Sequence, residues 1–261
     1  MVTTIEIWVV VIGLVNLLLF VLGLVFFIPR EVFKTRFGGF FQVLLRHLPY
    51  LLLIFGVVVF HLVEVNFIDP VLTEIIGVDF APVIQVLEGD AVFWFSQHWS
   101  PVLVYFFVIM YIAVYPFTLW FSLFYFLVSD KKESMETLSY GLLLIYIVAL
   151  PFYLFVPVTN VYRAYGVESA LESVIPTVED FFYSTTTQNN CLPSLHVAMS
   201  ILVAWSVYLT GNKRLTYFVF FCMVSVVLSV IYLAIHWLTD VVFGGLLAVV
   251  VILILKRFIR E

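Results

Sequence analysis

Charge is what this sequence has least of. Asp, Glu, Lys and Arg make up 11% of its 261 residues, while 64% are hydrophobic and the mean hydropathy is +1.16. A soluble domain of this length has no way to bury so much apolar surface, so the uncharged runs read as transmembrane helices. Cysteine is nearly absent. Cys191 and Cys222 stand in unlike settings, one at a helix entrance and one mid-segment, which excludes a disulfide framework. The first apolar run has no basic residues before it, so a cleavable signal peptide is not expected. The net charge of −5 by itself excludes little, and no nucleic-acid partner is expected. What is abundant is Phe, Tyr and Trp, at 18%, which suits lipid-facing surfaces and interfacial belts.

The pattern predicts an all-α, polytopic bundle of about six or seven membrane helices, each needing about 20 residues. Spans fall at roughly 5–28, 48–67, 101–128, 139–158, 192–210, 215–235 and 236–255. The last two form one apolar stretch too long for a single pass, so a turn is expected at Ala234–Trp237. The alternative is six spans with an interfacial helix, and the first segment is then the one in question. Residues 1–135 are expected to supply N-terminal helices and residues 136–261 the catalytic core of one membrane domain. Basic residues orient the chain. Arg30, Lys34, Arg36 and Arg46 follow span 1, Lys131 and Lys132 span 3, Lys213 and Arg214 span 5, and Lys256, Arg257 and Arg260 span 7. All these lie on one side, which the positive-inside rule makes cytoplasmic together with the C-terminus. The outer loops are acidic instead, with Asp69, Glu74, Asp79, Glu88 and Asp90 in one and Glu168, Glu172, Glu179 and Asp180 in the other. The stretch 68–100 also carries apolar residues between its acids and reads as amphipathic helix on the outer surface. Of twelve Lys and Arg, only Arg163 falls on the outer side. It is either a loop residue paired to Glu168 or an anionic lipid, or a phosphate ligand.

Two short stretches carry the chemistry. "CLPSLH" at Cys191–His196 opens span 5 with a proline suited to a first helical turn, then Ser194 and His196. "AIHWLTDVVFGG" at Ala234–Gly245 spaces His236, Asp240 and Gly244 four apart, on one helix face. A buried Asp in a membrane span costs about 2.5–3.5 kcal/mol and calls for a partner, which His236 one turn away provides. Asp240 accepting from one ring nitrogen leaves the other free as a nucleophile. Gly244 and Gly245 allow close helix packing. The topology brings His196, His236, Asp240, Ser194 and Arg163 to the outer membrane level. The amides at the start of span 5, the Ser194 hydroxyl and the Arg163 guanidinium suit an anion. One histidine is placed to attack phosphorus while the other protonates the leaving oxygen, with no metal or cofactor required. Three other readings remain. His and Asp suit a proton-coupled carrier, although the polar set lies at one face and not at the midplane. His196, His236 and Asp240 are a possible metal-ligand set. The protein is otherwise a scaffold with remnant motifs.

These residues resemble the type-2 phosphatidic acid phosphatase (PAP2) superfamily over roughly residues 150–250. Members carry PSGH at the start of one helix, SRx5HxxxD across a later helix pair and Kx6RP upstream. Here "PSLH" stands at Pro193–His196 and "SVIYLAIHWLTD" at Ser229–Asp240. The resemblance implies His236 as nucleophile, Asp240 as its orienting residue, His196 as general acid and Ser194 as a phosphate ligand. It also implies a PAP2-like core with an extracytoplasmic active site in an integral protein of the cell membrane. Leu195 replaces the motif glycine, Val230 stands at the second-motif arginine, and Arg163 alone is available for Kx6RP. "PSLH" is similar to the inositol phosphorylceramide synthase branch, which moves a phospho-head group from a phospholipid to a lipid alcohol. A phosphodiester carries one charge fewer than a monoester, so head-group transfer is the favoured expectation over simple lipid phosphate hydrolysis.

Overall fold

The computed structural model describes residues 4–29, 39–98, 100–175 and 187–259. Arg30, Lys34, Arg36, Trp99, Glu179, Asp180 and Arg260 lie outside the described residues. The long helices are α1 (Thr4–Phe27), α2 (Phe40–Val63), α7 (Tyr115–Val128), α8 (Lys132–Phe155), α11 (Leu195–Tyr208), α12 (Lys213–Tyr232) and α13 (Leu238–Ile259). Shorter pieces are α3 (Asp69–Ile76), α4 (Ala81–Glu88), α5 (Ala91–Ser96), α6 (Pro101–Ile109), α9 (Val161–Ala164) and α10 (Ala170–Val174). Among the described residues β-structure is limited to a single bridge between Val158 and Asn190. The architecture is the polytopic helical bundle that the hydropathy predicts.

Six continuous helical stretches are long and apolar enough to cross a membrane: Ile7–Phe27, Phe40–Ile76, Pro101–Val128, Lys132–Phe155, Lys213–Tyr232 and Leu238–Ile259. The seventh expected span, α11, has 14 residues and is about 21 Å long. It still joins the same two levels. Its start meets the first turn of α13, where Ser194 N–H donates to the Asp240 carbonyl at 3.0 Å. Just past its end, Asn212 donates to the Phe27 carbonyl at 2.8 Å and to the Tyr125 hydroxyl at 3.1 Å, at the far ends of α1 and α7. The second span runs further than expected. Residues 69–76, read from sequence as outer loop, continue the helix through a widened π turn at Glu64–Ile68. Pro70 explains the turn, because proline lacks an N–H and its ring presses on the carbonyl four residues back. A second π turn, Met110–Val114, precedes Pro116 for the same reason.

The main core lies where α7, α8, α11 and α13 meet, around Phe121, Phe126, Leu138, Ile145, Leu202 and Ala248. The turn between α12 and α13 falls at Leu233–Trp237, as the even division of the apolar stretch predicts. Ala234 adopts φ 56°, a left-handed conformation that closes the turn. The opposite end of the bundle is pinned by Asp130, itself left-handed at φ 51°. Its carboxylate accepts from Arg46 at 2.9 Å and pairs with the fully buried His47 at 3.1 Å. Asp130→Ala is expected to lower thermal stability in detergent by about 1–3 kcal/mol, because it strands the buried imidazole. Asp130→Asn tolerates the backbone and keeps an acceptor, so most of the loss should be absent in that variant.

Candidate functional site

The site is built where three chain segments meet at one end of the bundle. Residues 187–194 run in beside 158–160. Val158 N–H donates to Asn189 O at 2.7 Å, Asn160 N–H to Gln188 O at 2.9 Å and Cys191 N–H to Val158 O at 3.3 Å. The Tyr153 hydroxyl, from α8, donates to the Pro193 carbonyl at 2.6 Å. Ser194 then caps α11, its hydroxyl accepting from Val197 N–H at 3.5 Å. Pro193 therefore precedes the cap and does not occupy the first helical turn, because the serine oxygen can satisfy an end amide and proline cannot.

The start of α13 is held from its own side. Asp240 Oδ2 accepts from Trp237 N–H at 2.9 Å and faces His236 Nδ1 at 3.4 Å. Asp240 is fully buried and its Oδ1 has no hydrogen-bond partner. His236 is 4% exposed, and its backbone N–H and that of Ile235 both donate to the Val230 carbonyl. The His236 ring centroid lies 5.8 Å from that of His196, so both rings reach one phosphoryl-sized group. His196 is gripped by Tyr111 and Tyr115, at 4.7 and 5.0 Å between centroids. Tyr111 belongs to the second π turn and Tyr115 follows it, so the widened turn aims aromatics at the site.

The contact that joins the two motifs is tight. A Cβ on Gly244 would stand 2.5 Å from the Ser194 carbonyl oxygen, which is backbone and has no free end to swing away. Together with the Ser194–Asp240 hydrogen bond, it fixes His196 relative to His236. Ser194 itself is fully buried. Arg163 is placed differently. It is exposed, its backbone N–H is capped by the Asn160 side chain, and its Nε–H donates to Gln188. Its neighbour Tyr162 docks on the turn by donating to Ala234 O at 3.1 Å. The guanidinium thus flanks the loop into the first motif without touching either histidine among the described contacts.

Position 230, where the resembled motif has arginine, is closed. Val230 is fully buried in an apolar cluster with Val104, Phe107, Val108 and Leu233. A guanidinium there would replace a packed isopropyl group without a counter-ion. Leu195 packs against the main core.

Sequence reasoning treated the acids of 68–100 as an outer polar face, whereas several are structural. Glu88 accepts from Leu238 N–H at 2.8 Å and so caps α13 beside His236. Burial, set against its hydrogen bonds to the helix start, raises the Glu88 carboxyl above its ordinary range. Asp79 accepts from Ala81 and Thr159 N–H groups at 2.9 and 3.1 Å. Asp69 is buried. The missed group of most interest is Glu64, fully buried on the first π turn and bound by Tyr146 and Asn190. Its signal was an acid inside an apolar span.

Cys191, His236 and Asp240 bring ligand-type atoms within 4.8 Å of one another. The Cys191 thiol lies 3.6 Å from the Ile235 carbonyl, to which it donates, and burial pushes it well above its ordinary range.

The family description of the PAP2 superfamily matches residues 75–254, about two thirds of the chain, which belongs to that superfamily. The match begins well before the stretch on which the motifs lie. It carries with it a phosphatase-type function on lipid phosphates in general terms. No curated protein and no solved structure matches the chain.

Gly244→Ala is expected to abolish turnover while leaving an assembled bundle, because the loop bearing Ser194 must retreat from Asp240. Gly245→Ala meets only Ile201 Cδ1, at 3.9 Å, and should behave as wild type. Activity of the two purified variants checks the contrast.

Proposed function

We propose that this protein transfers a phospho-head group between membrane lipids through a phosphohistidine at the outer leaflet. The observation that carries the reading is the pair of facing imidazoles, one of them backed by a buried carboxylate. Asp240 holds His236 Nδ1, so Nε2 is the free nucleophile. Nε2 attacks phosphorus, the bond to the diacylglycerol oxygen breaks, and His196 gives that oxygen its proton. Ser194 supplies its hydroxyl and Arg163 stands at the entrance for phosphate or head group. No resident metal takes part. The active site faces outward and the C-terminus lies in the cytoplasm, on the side of Arg46, Lys132 and Lys256. Transfer is favoured over hydrolysis because position 230 is sealed by valine. A diester with one charge needs fewer cations than a monoester.

The test uses purified protein in mixed micelles with EDTA, offered lipid phosphates and phospholipids with and without a lipid alcohol. A new phospholipid that vanishes with His236→Ala supports transfer. Free phosphate that vanishes with the same variant makes the protein a phosphatase and retires transfer. Activity lost to EDTA and restored by a divalent ion would favour metal-dependent hydrolysis instead.

Asp240→Asn should keep the fold and slow turnover by about 10²–10⁴-fold, since the amide disturbs the imidazole tautomer. Wild-type turnover would remove Asp240 from the mechanism. Arg163→Ala should raise KM with little change in kcat, as a flanking guanidinium binds ground and transition states alike. Unchanged kinetics would take Arg163 out of the site.

A further inference from the structure

A second histidine–carboxylate pair is tied to the loop of the first motif. His61 lies on α2 and Glu64 opens the π turn that continues it, with His61 Nδ1 3.5 Å from Glu64 Oε2. The separation suits an ion pair, but the groups are not aligned as a hydrogen bond. Glu64 also accepts from the Tyr146 hydroxyl at 3.1 Å and from the Asn190 amide at 3.3 Å. Tyr146 meets the His61 ring edge to face at 5.6 Å. Asn190 belongs to the loop that leads into Pro193–His196, so this network holds the first motif's loop. His196 lies within electrostatic reach of both His236 and His61. His61, Asn190 and His196 are half-buried, whereas Glu64, Tyr146, His236 and Asp240 are buried.

The chemistry is asymmetric in a useful way. His196 is wedged between two tyrosine rings and no carboxylate contacts it among the described residues. His236 and His61 each have one. A carboxylate behind an imidazole orients the ring and stabilises the charge that forms when the ring takes up a proton, which is the task of a base.

We propose that His61, backed by Glu64, is the base for the second half-reaction, accepting the proton of the hydroxyl that attacks phosphohistidine. The idea rests on the phosphohistidine reading above. The hydroxyl oxygen bonds to phosphorus, and the P–Nε2 bond breaks with its electron pair returning to the His236 imidazole. The hydroxyl proton goes to His61. His196 has lost a proton in the first step and His61 has gained one, and exchange with water between turnovers resets both. A lipid alcohol and water share this chemistry and compete for it.

Single-turnover experiments separate the two steps. Phosphatidic acid and phosphatidylethanolamine, each radiolabelled at phosphorus, are mixed with excess enzyme in micelles, with or without diacylglycerol or ceramide, and quenched in alkali. In His61→Gln the labelled enzyme should form at the wild-type rate and decay about 10²-fold more slowly, accumulating during turnover. Glu64→Gln should slow decay less, and His196→Gln should suppress formation. Faster decay with the lipid alcohol identifies it as the nucleophile, and decay indifferent to it identifies water. Decay at the wild-type rate in His61→Gln overturns the proposal, as does failure of that variant to form the intermediate. Wild-type protein that turns over without any alkali-stable, His236-dependent label overturns the phosphohistidine reading itself, and the role of His61 falls with it.

Discussion

Ser194 rests directly on the first turns of α13. Its N–H is bound to the Asp240 carbonyl and its own carbonyl lies against Gly244, where any side chain would collide. Within an apolar bundle such a contact is hard to replace. Backbone groups there find no water, so the amide of the loop must use a protein acceptor or remain unsatisfied. The position of α11, and of His196 in its first turn, follows from that one seat. The position of His236 follows from the other side of it, because Asp240 gives its carbonyl to Ser194 and its carboxylate to His236 and Trp237. One residue thus locks the geometry between two helices and the orientation of the ring that stands opposite.

The rest of the outer end supports this seat with acids used as caps. Glu88 closes the start of α13 and Asp79 bridges Ala81 and Thr159, while Trp237 donates to Thr159 O at 2.9 Å. A helix that begins near the membrane surface has amide groups to satisfy and a positive dipole end, and a carboxylate answers both. The acidic bias of residues 68–100 therefore has a structural cause in addition to topology. It also has an electrostatic consequence. The described surroundings of the two facing histidines contain Asp240, Glu64 and Glu88 and no buried lysine or arginine.

Much of this was legible in the residues. Uncharged runs placed the spans, and the even split of 215–255 placed the turn at Ala234–Trp237. The four-residue spacing placed Asp240 and Gly244 on one face of α13, whereas His236, expected on the same helix, lies in the turn before Leu238 and meets the Asp240 carboxylate from there. What escaped had physical reasons. The second span, expected to end at 67, continues to Ile76 because the π turn absorbs Pro70 and Asp69 is buried. Pro193 was read as helical because proline suits a first turn, but Ser194 competes for the cap and wins. Glu64 was passed over since one acid barely lowers the hydropathy of a long window, and its partners Tyr146 and Asn190 are 82 and 126 residues away. Long-range polar pairing leaves no periodic trace in sequence. Arg163 was singled out by topology alone, and its guanidinium is found on Gln188 at the margin of the site.

The sealed position at Val230 bears on what such a site can bind. A phosphate monoester brings close to two negative charges into surroundings that already hold several carboxylates, and the low local dielectric magnifies each repulsion. A diester brings one. With no cation at position 230, the available positive charge comes from protonated imidazole, from helix ends and from Arg163 at the margin of the site. The balance favours the lesser charge by a margin that grows with burial. It favours as well a mechanism in which protons sit on histidines at defined moments, because those protons are then both the counter-charge for phosphate and the currency of each step. Under the proposed mechanism, specificity for the head group and the order of proton transfers would have the same origin, the scarcity of fixed positive charge.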